Sequence, residues 1–209
     1  MAVKNIEMDE TLKKSAMKEF LQYGFRDASL RRIADSAGTT TGSIYTRYDG
    51  KDGLFLGLTT QIRDAAMLAF EQLRPVYEAA GDIDGMMDAS RMEARLILEI
   101  VFRHYDEAVL LICKSEGSSA NQFWDQVIER KVRESESFFG DFAGAPDLKH
   151  AFEVLLTMQF EMYRKIIQNG YTREEALQCM DLMMVFMNGG WKALMEALWR
   201  LKEKSHERT

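Results

Sequence analysis

Hydroxyls, a phenol and a guanidinium are gathered within eight residues in Thr40-Thr41-Gly42-Ser43-Ile44-Tyr45-Thr46-Arg47. Such groups suit hydrogen bonding to an anionic polymer better than bond breaking. Hydroxyls bond either base edges or phosphates, and a threonine methyl can meet a thymine methyl. Tyr45 and Arg47 are suited to phosphate oxygens, contacts that fix register without reading sequence. Gly42 lets the backbone come close to a duplex. Lys51 begins the following segment, where the first amides of a helix would help it hold one more phosphate. Ser29 and Arg31, a little upstream, complete the candidate DNA-contacting set of Ser29, Arg31, Thr40, Thr41, Gly42, Ser43, Tyr45, Arg47 and Lys51.

These groups need a rigid frame, and the flanking sequence supplies one. Leu30, Ile33, Ala34 and Ala37 follow the i, i+3, i+4, i+7 spacing of one buried helix face, with Ser29 placed as the N-cap. Gly38 allows a tight turn, and Thr40 stands where the next N-cap belongs. Ile44 and Tyr48 then lie one turn apart on a single face. The spacing predicts a helix-turn-helix whose second helix enters the major groove N-terminus first.

Over about a quarter of its length the chain resembles the TetR family of transcriptional regulators. Ala16, Phe20, Gly24 and Phe25 match the family's first helix and its exit. Ser29, Ile33, Ala34, Ala37 and Gly38 match the second helix, and Gly42, Ile44, Tyr45, Lys51 and Leu54 match the recognition helix and the start of the linking helix. Arg47 and Thr46 depart from the pattern, standing where the family usually carries an aromatic residue or histidine, although Arg47 keeps a cationic contact. The resemblance implies an all-α chain with an N-terminal three-helix DNA-binding domain over residues 1–50 and a helical ligand-binding and dimerisation domain over residues 51–209. It also implies a homodimeric repressor on a palindromic operator, released by a small-molecule effector.

Charge is distributed in keeping with that polarity. The whole chain carries −6, but residues 1–60 hold nine Lys/Arg against eight Asp/Glu, which leaves the acidic excess in the remainder. The N-terminal face is therefore the one that tolerates phosphate. So small a positive surplus predicts weak nonspecific binding and a need for two recognition heads acting together.

The C-terminal region carries a long seam. Thr172 and Glu175 form a candidate capping box. From it Leu177, Met180, Met184, Met187, Trp191, Leu194, Leu198 and Leu201 repeat at alternating spacings of three and four, as a and d positions do. Phe152, Leu155, Leu156, Phe160, Tyr163, Ile166 and Ile167 mark a preceding amphipathic helix that stops at Asn169-Gly170. The two predict an antiparallel hairpin, with Phe152, Leu156, Phe160, Met180, Met184, Met187, Trp191 and Leu194 as candidate dimer contacts in a four-helix bundle. The duller reading makes the seam plain core. Asn188-Gly189-Gly190 interrupts it with small side chains, suited to close helix approach or to a kink.

Between them, a linking helix is expected to run to about Leu73 and to break at Pro75 and the Gly81 to Gly85 stretch. Helices follow near Met86 to His104, Asp106 to Ser115 and Asn121 to Phe139, the last bounded by Gly140 and Gly144. The family resemblance implies a small-molecule pocket here. Met92, Leu96, Glu99, Trp124, Gln159 and Tyr163 are the candidate lining, each with an alternative reading as core or solvated surface. A methionine-rich, aromatic interior suits a largely apolar ligand. His104 reads as a helix-end residue rather than a catalytic group.

Other function classes find little support. No GxSxG, HExxH, P-loop or dinucleotide fingerprint is present, and three histidines with two distant cysteines, Cys113 and Cys179, make no catalytic or metal-spaced cluster. No cofactor, metal or membrane partner is expected. Without a signal peptide or a long apolar run, the chain reads as cytoplasmic. An enzyme built on helices alone, or a helix-turn-helix used only for packing in a protein-interaction module, stays open at the level of sequence.

Overall fold

The computed structural model describes the backbone of residues 2–80, 82–139 and 146–206, and side chains of residues 6–80, 82–134, 150–197 and Arg200. Among these residues all regular structure is helical: α1 Ala2–Asp27, α2 Leu30–Ser36, α3 Thr41–Tyr48, α4 Gly50–Ala79, α5 Ile83–Arg103, α6 Tyr105–Cys113, a 3₁₀ turn Ser119–Gln122, α7 Phe123–Phe139, α8 Pro146–Gln168 and α9 Arg173–His206. The expected boundaries at Gly140 and Gly144 fall outside the described residues, as do Gly81 and the side chains of Leu198 and Leu201 in the seam.

The expected division at residue 50 follows chain order, whereas packing groups the helices differently. One compact unit joins residues 1–63 to 104–168, and the other joins 64–103 to 169–209. The recognition helices therefore share their unit with α6, α7 and α8.

In the first unit, apolar side chains of α1, α2, α3 and α4 converge. Leu12, Ala16, Phe20, Ile33, Ile44, Leu54 and Phe55 are sealed from solvent. Phe55 meets Phe20 edge-on at 5.0 Å and Phe25 at 5.3 Å. Edge-to-face pairs of this kind add about 1 kcal/mol beyond their buried area. Gly24 has φ 74, ψ 173, a backbone state outside the helical region that turns the chain out of α1 after Tyr23. That turn aims the Phe25 N–H at the Lys114 carbonyl, 2.9 Å away beyond the end of α6. Arg26 pairs with Glu116 at 2.7 Å, and the Asp52 carboxylate accepts from the Ser119 amide at 2.9 Å and its hydroxyl at 2.6 Å. The exit of α1 and the start of α4 are thus both tied to the segment between α6 and α7.

The second unit is held by α5 against α9. Going up α5, Asp84 meets Lys192, the Met87 carbonyl accepts from Asn188, Arg95 meets Asp181, and Glu99 meets Arg173. Partner numbers fall as α5 rises, so the two helices run antiparallel. Ala89, Ala94, Ile97 and Leu98 on α5 and Ala176, Met180 and Met184 on α9 make the dry layer beneath these polar ties. The capping box at the start of α9 is complete: Thr172 Oγ1 accepts from the Glu175 amide at 3.3 Å, and Glu175 Oε2 accepts from the Thr172 amide at 2.8 Å.

Three local points of the sequence reading are decided by the structure. α4 continues through Pro75 to Ala79 instead of stopping there. The ring fixes φ near its helical value and costs one hydrogen bond, which a helix about one turn from its end tolerates. α9 runs unbroken through Asn188-Gly189-Gly190, because Asn188 is buried and anchored to the Met87 carbonyl at 2.9 Å. His104 follows directly on Arg103 at the end of α5, as expected, and is at the same time the N-cap residue of α6, with Nδ1 3.9 Å from Glu107.

Candidate nucleic-acid interface

Each edge of the recognition unit is set by a local hydrogen bond. Ser29 is the N-cap of α2, and its Oγ accepts from the Arg32 amide at 3.4 Å. Thr40 caps α3 in the same way, accepting from the Ser43 amide at 3.2 Å. Replacing such caps by alanine typically costs about 1 kcal/mol. Between them Gly38 takes φ 65, the left-handed turn that an unbranched backbone adopts without strain. Ile33 and Ala34 of α2 and Ile44 of α3 close the buried side of the angle.

The opposite side of α3 is open. Thr41, Gly42, Tyr45 and Thr46 are exposed together, Tyr45 at 60%. Thr46 Oγ1 donates back to the Gly42 carbonyl at 2.9 Å. Ser43 is half-buried, and its hydroxyl accepts from Arg47 Nε at 3.4 Å. Arg31 is exposed on α2 and lies 3.9 Å from Asp35. Of the expected contact residues, Thr41, Gly42 and Tyr45 are exposed on α3 and Arg31 is exposed on α2. Ser29 and Thr40 are first of all caps. Lys51 donates to the Arg26 carbonyl at 2.9 Å and lies over the Phe25 ring, so its ammonium ties α4 to the exit of α1 instead of standing free for phosphate. Burial lowers its pKa in that position.

Sequence reading passed over the residues that hold α1 to this unit. Glu19, nearly buried on α1, accepts from the Ser29 amide at 2.9 Å and from Arg32 Nε at 2.7 Å, and Arg32 stacks on Tyr23 at 4.5 Å. Asp9 accepts from the Tyr48 hydroxyl at 2.5 Å. Neither tie has a sequence signal, since the partners are thirteen and thirty-nine residues apart.

Burial by itself would raise the Glu19 carboxyl, but the Arg32 guanidinium and the Ser29 amide outweigh it and hold it below its ordinary range. A depressed carboxyl contributes stability above the unfolded pKa, about 4.3, and loses it as pH falls through the folded value. Glu19→Gln is therefore expected to lower the unfolding temperature at pH 7, and the gap from the parent protein should narrow as pH falls below about 4.3. A gap that stays constant with pH would mean that Glu19 acts by shape and not by charge. Thermal melts across pH settle which.

The same N-terminal unit is matched by a family model. Residues 13–58 fit the family described as bacterial regulatory proteins, tetR family. Over this segment the chain is similar to TetR-family transcriptional regulators. Its match to an uncharacterized HTH-type transcriptional regulator, YdgC of Bacillus subtilis (strain 168), is 25% identical over 165 residues, 76% of this chain and 80% of that protein. Among solved structures, the chain shares its fold with NalD, the secondary repressor of the MexAB-OprM multidrug efflux pump in Pseudomonas aeruginosa, with TM-score 0.60, 16% identity, and 88% and 96% of the two chains covered. It is also similar to SCO3833, a TetR-family member from Streptomyces coelicolor A3, with TM-score 0.59, 16% identity, and 86% and 90% covered.

The candidate effector residues divide between the two units. Trp124, Gln159 and Tyr163 belong to the first, where the Trp124 ring lies 5.1 Å from Phe160 and Phe160 lies 6.1 Å from Tyr163. Gln159 and Tyr163 are buried. Met92, Leu96 and Glu99 belong to the second: Met92 faces solvent, Leu96 is half-buried, and Glu99 is paired with Arg173.

The candidate dimer residues need a correction. Met180, Met184 and Met187 are buried within the single chain, in the unit where α9 packs on α5, so they are not presented to a partner. Trp191 and Leu194 are half-buried. The surface that α9 leaves open carries Leu182, Val185 and Phe186, exposed at 75%, 67% and 78%, followed by Gly189, Gly190, Ala193 and Ala197. On α8 Phe152 is buried, Leu156 and Phe160 are half-buried, and Val154 and Met158 are the apolar side chains facing out.

No helix among the described residues is long and apolar enough to cross a membrane, and no group of His, Cys, Asp or Glu among them could hold a metal ion. Cys113 and Cys179 are free thiols, both half-buried, and burial raises the pKa of Cys113.

Proposed function

We propose that this regulator is a homodimeric repressor in the cytoplasm that binds a two-fold symmetric operator and is released by a small-molecule effector. The observation that carries the DNA half of this reading is the open face of α3. Thr41, Gly42, Tyr45 and Thr46 are exposed there while Ile44 and the two N-caps fix the helix beneath them. Hydroxyls and a threonine methyl read base edges, the phenol takes a phosphate, and Gly42 admits close approach.

Two such heads must reach successive major grooves about 34 Å apart, which a two-fold dimer provides. The α9 stripe of Leu182, Val185 and Phe186 supports the dimer. Contiguous apolar side chains in water favour burial against a second copy, and the glycines beyond them allow close backbone approach.

Release is a population shift. An effector that binds one conformation better than the other changes the spacing of the two heads until both no longer fit one duplex. Trp124 favours an effector site in the first unit, because its indole N–H is buried without a hydrogen-bond partner. A largely aromatic ligand carrying one acceptor would satisfy it. Its helix follows directly on the 3₁₀ turn whose Ser119 binds Asp52, and that turn gives a short path to α4.

Selection from random duplex DNA tests the reading. Enrichment of a palindrome, weakened by salt, is the expected result, and failure to enrich any symmetric sequence overturns the operator claim. On the selected site, Tyr45→Ala is expected to weaken binding about tenfold, as loss of one good phosphate contact would. Its unfolding temperature should stay unchanged, because the ring is mostly exposed. A destabilised Tyr45→Ala protein would instead assign Tyr45 to packing.

A further inference from the structure

The far end of α3 carries a charge arrangement that DNA binding by itself does not explain. Asp9, on α1, has three neighbours. Its Oδ1 accepts from the Tyr48 hydroxyl at 2.5 Å, its Oδ2 lies 3.0 Å from Lys13 Nζ, and its Oδ1 lies 3.9 Å from Arg47 Nη1. Arg47, in the last turn of the recognition helix, is also drawn back along its own helix by the bond from Nε to Ser43 Oγ at 3.4 Å. Both the Asp9 and the Arg47 side chains keep about a quarter of their surface in contact with solvent, 27% each. The pair therefore lies within reach of an approaching phosphate, and it is not sealed in the core.

Burial would raise the Asp9 carboxyl, but Tyr48, Lys13 and Arg47 outweigh it and keep it below the ordinary aspartate range. Asp9 is therefore anionic at neutral pH. The Tyr48 bond fixes its position as well. An acceptor held on a hydroxyl of the recognition helix cannot swing away from the guanidinium one residue earlier.

We infer that Asp9 is a built-in competitor for phosphate: it neutralises Arg47 in the free protein and so suppresses sequence-independent DNA binding, leaving recognition to the groups at the N-terminal end of α3. Nonspecific affinity comes almost wholly from cations that displace counterions from phosphates, and each cation made available steepens the salt dependence by about one ion. A guanidinium already facing a carboxylate releases little on meeting a random duplex. On a correct operator the heads are seated closely enough for a phosphate to take the place of Asp9. The ratio of specific to nonspecific affinity decides occupancy among many competing sites, so Asp9 raises that ratio by lowering its denominator. The inference rests on α3 being the DNA-reading helix.

Its test is titration of the full-length protein with a random-sequence duplex at several salt concentrations. The parent, Asp9→Asn, Arg47→Gln and the double variant are compared. Asparagine keeps an oxygen for the Tyr48 hydroxyl, so the fold should survive, and unfolding temperatures check this. Asp9→Ser is the substitute if it does not. Asp9→Asn is expected to tighten nonspecific binding several-fold at low salt, with the slope of log K against log salt steeper by about one. The gain should vanish in the Arg47→Gln background.

An unchanged slope in folded Asp9→Asn overturns the inference. So does a gain that persists without Arg47, which would mean only that one negative charge had been removed from the DNA-facing side. If the parent itself shows no saturable binding to any duplex, the reading of α3 fails and the inference falls with it.

Discussion

Gly53→Ala is expected to destabilise the protein by about 3 kcal/mol, the upper end of overpacking costs, and to lower its unfolding temperature by about 10 °C. Operator affinity should fall at least tenfold. The cause lies at the junction of α3 and α4. Asp49 takes φ 57 and Gly50 φ 94, so the chain folds back on itself and the first turn of α4 crosses the last carbonyl of α3. A Cβ at position 53 would stand 1.5 Å from the Tyr48 carbonyl oxygen and 2.8 Å from its carbon.

Those are main-chain atoms that cannot rotate away. Relief requires reopening the turn, which would displace Leu54 and Phe55, both fully buried, and disturb Tyr48 on Asp9. Gly57→Ala is the control, since its Cβ would meet the edge of the Tyr48 ring at 3.2 Å, a side chain that can yield. Alanine is also the better helix former by about 1 kcal/mol, so Gly57→Ala should be near neutral. Urea unfolding and operator titration of both variants measure the contrast, and equal behaviour would show that the junction is pliable.

Phe186→Asp is expected to give a folded monomer whose affinity for a palindromic operator is lower by 100-fold or more, while affinity for a single half-site is unchanged. Phe186 is 78% exposed, so a charge there costs the protomer little. In a two-fold interface the same substitution places two carboxylates near the symmetry axis in a desolvated setting, an arrangement that costs several kcal/mol. Losing the second head forfeits the effective concentration that linkage supplies, worth about 10² to 10⁴ in apparent affinity. Sedimentation gives the oligomeric state, and parallel titrations with full and half operators give the two affinities. A dimeric Phe186→Asp protein would move the interface off this stripe.

The effector reading makes a narrower demand on the structure. Asp52 receives two hydrogen bonds from Ser119, and Arg26 pairs with Glu116. A shift of the segment after α6 therefore pulls on α4 and on the exit of α1 together. Packed elements of this kind move between discrete arrangements and do not deform smoothly, as a switch requires.

Legibility in the sequence followed distance along the chain. Ser29, Gly38 and Thr40 were readable as caps and turn because each acts on an amide or a dihedral within three residues of itself. The capping box at Thr172 and Glu175 was readable for the same reason. Lys51 illustrates the limit. Its residue type and its place at a helix start suited a phosphate, but its ammonium is held by the Arg26 carbonyl, twenty-five positions away in sequence. Glu19 and Asp9 were passed over altogether, because an acidic residue on an N-terminal helix looks the same whether it faces water or anchors a recognition unit.

By itself, then, the sequence determined the all-helical class, the helix-turn-helix with its caps, and the resemblance of its N-terminal segment to one family of regulators. These depend on helical periodicity and on short-range hydrogen bonds, which a string of residues states directly. Only the tertiary structure decided which side of α9 lies inside. That helix has two apolar stripes, Met180, Met184 and Met187 on one and Leu182, Val185 and Phe186 on the other, and periodicity detects both without ranking them. The choice was made by α5, whose Asp84, Arg95 and Glu99 find their opposite charges on α9 in one antiparallel register only, and that register turns the methionines inward. Burial depends on what packs opposite a helix face, and the sequence of that face alone does not contain it.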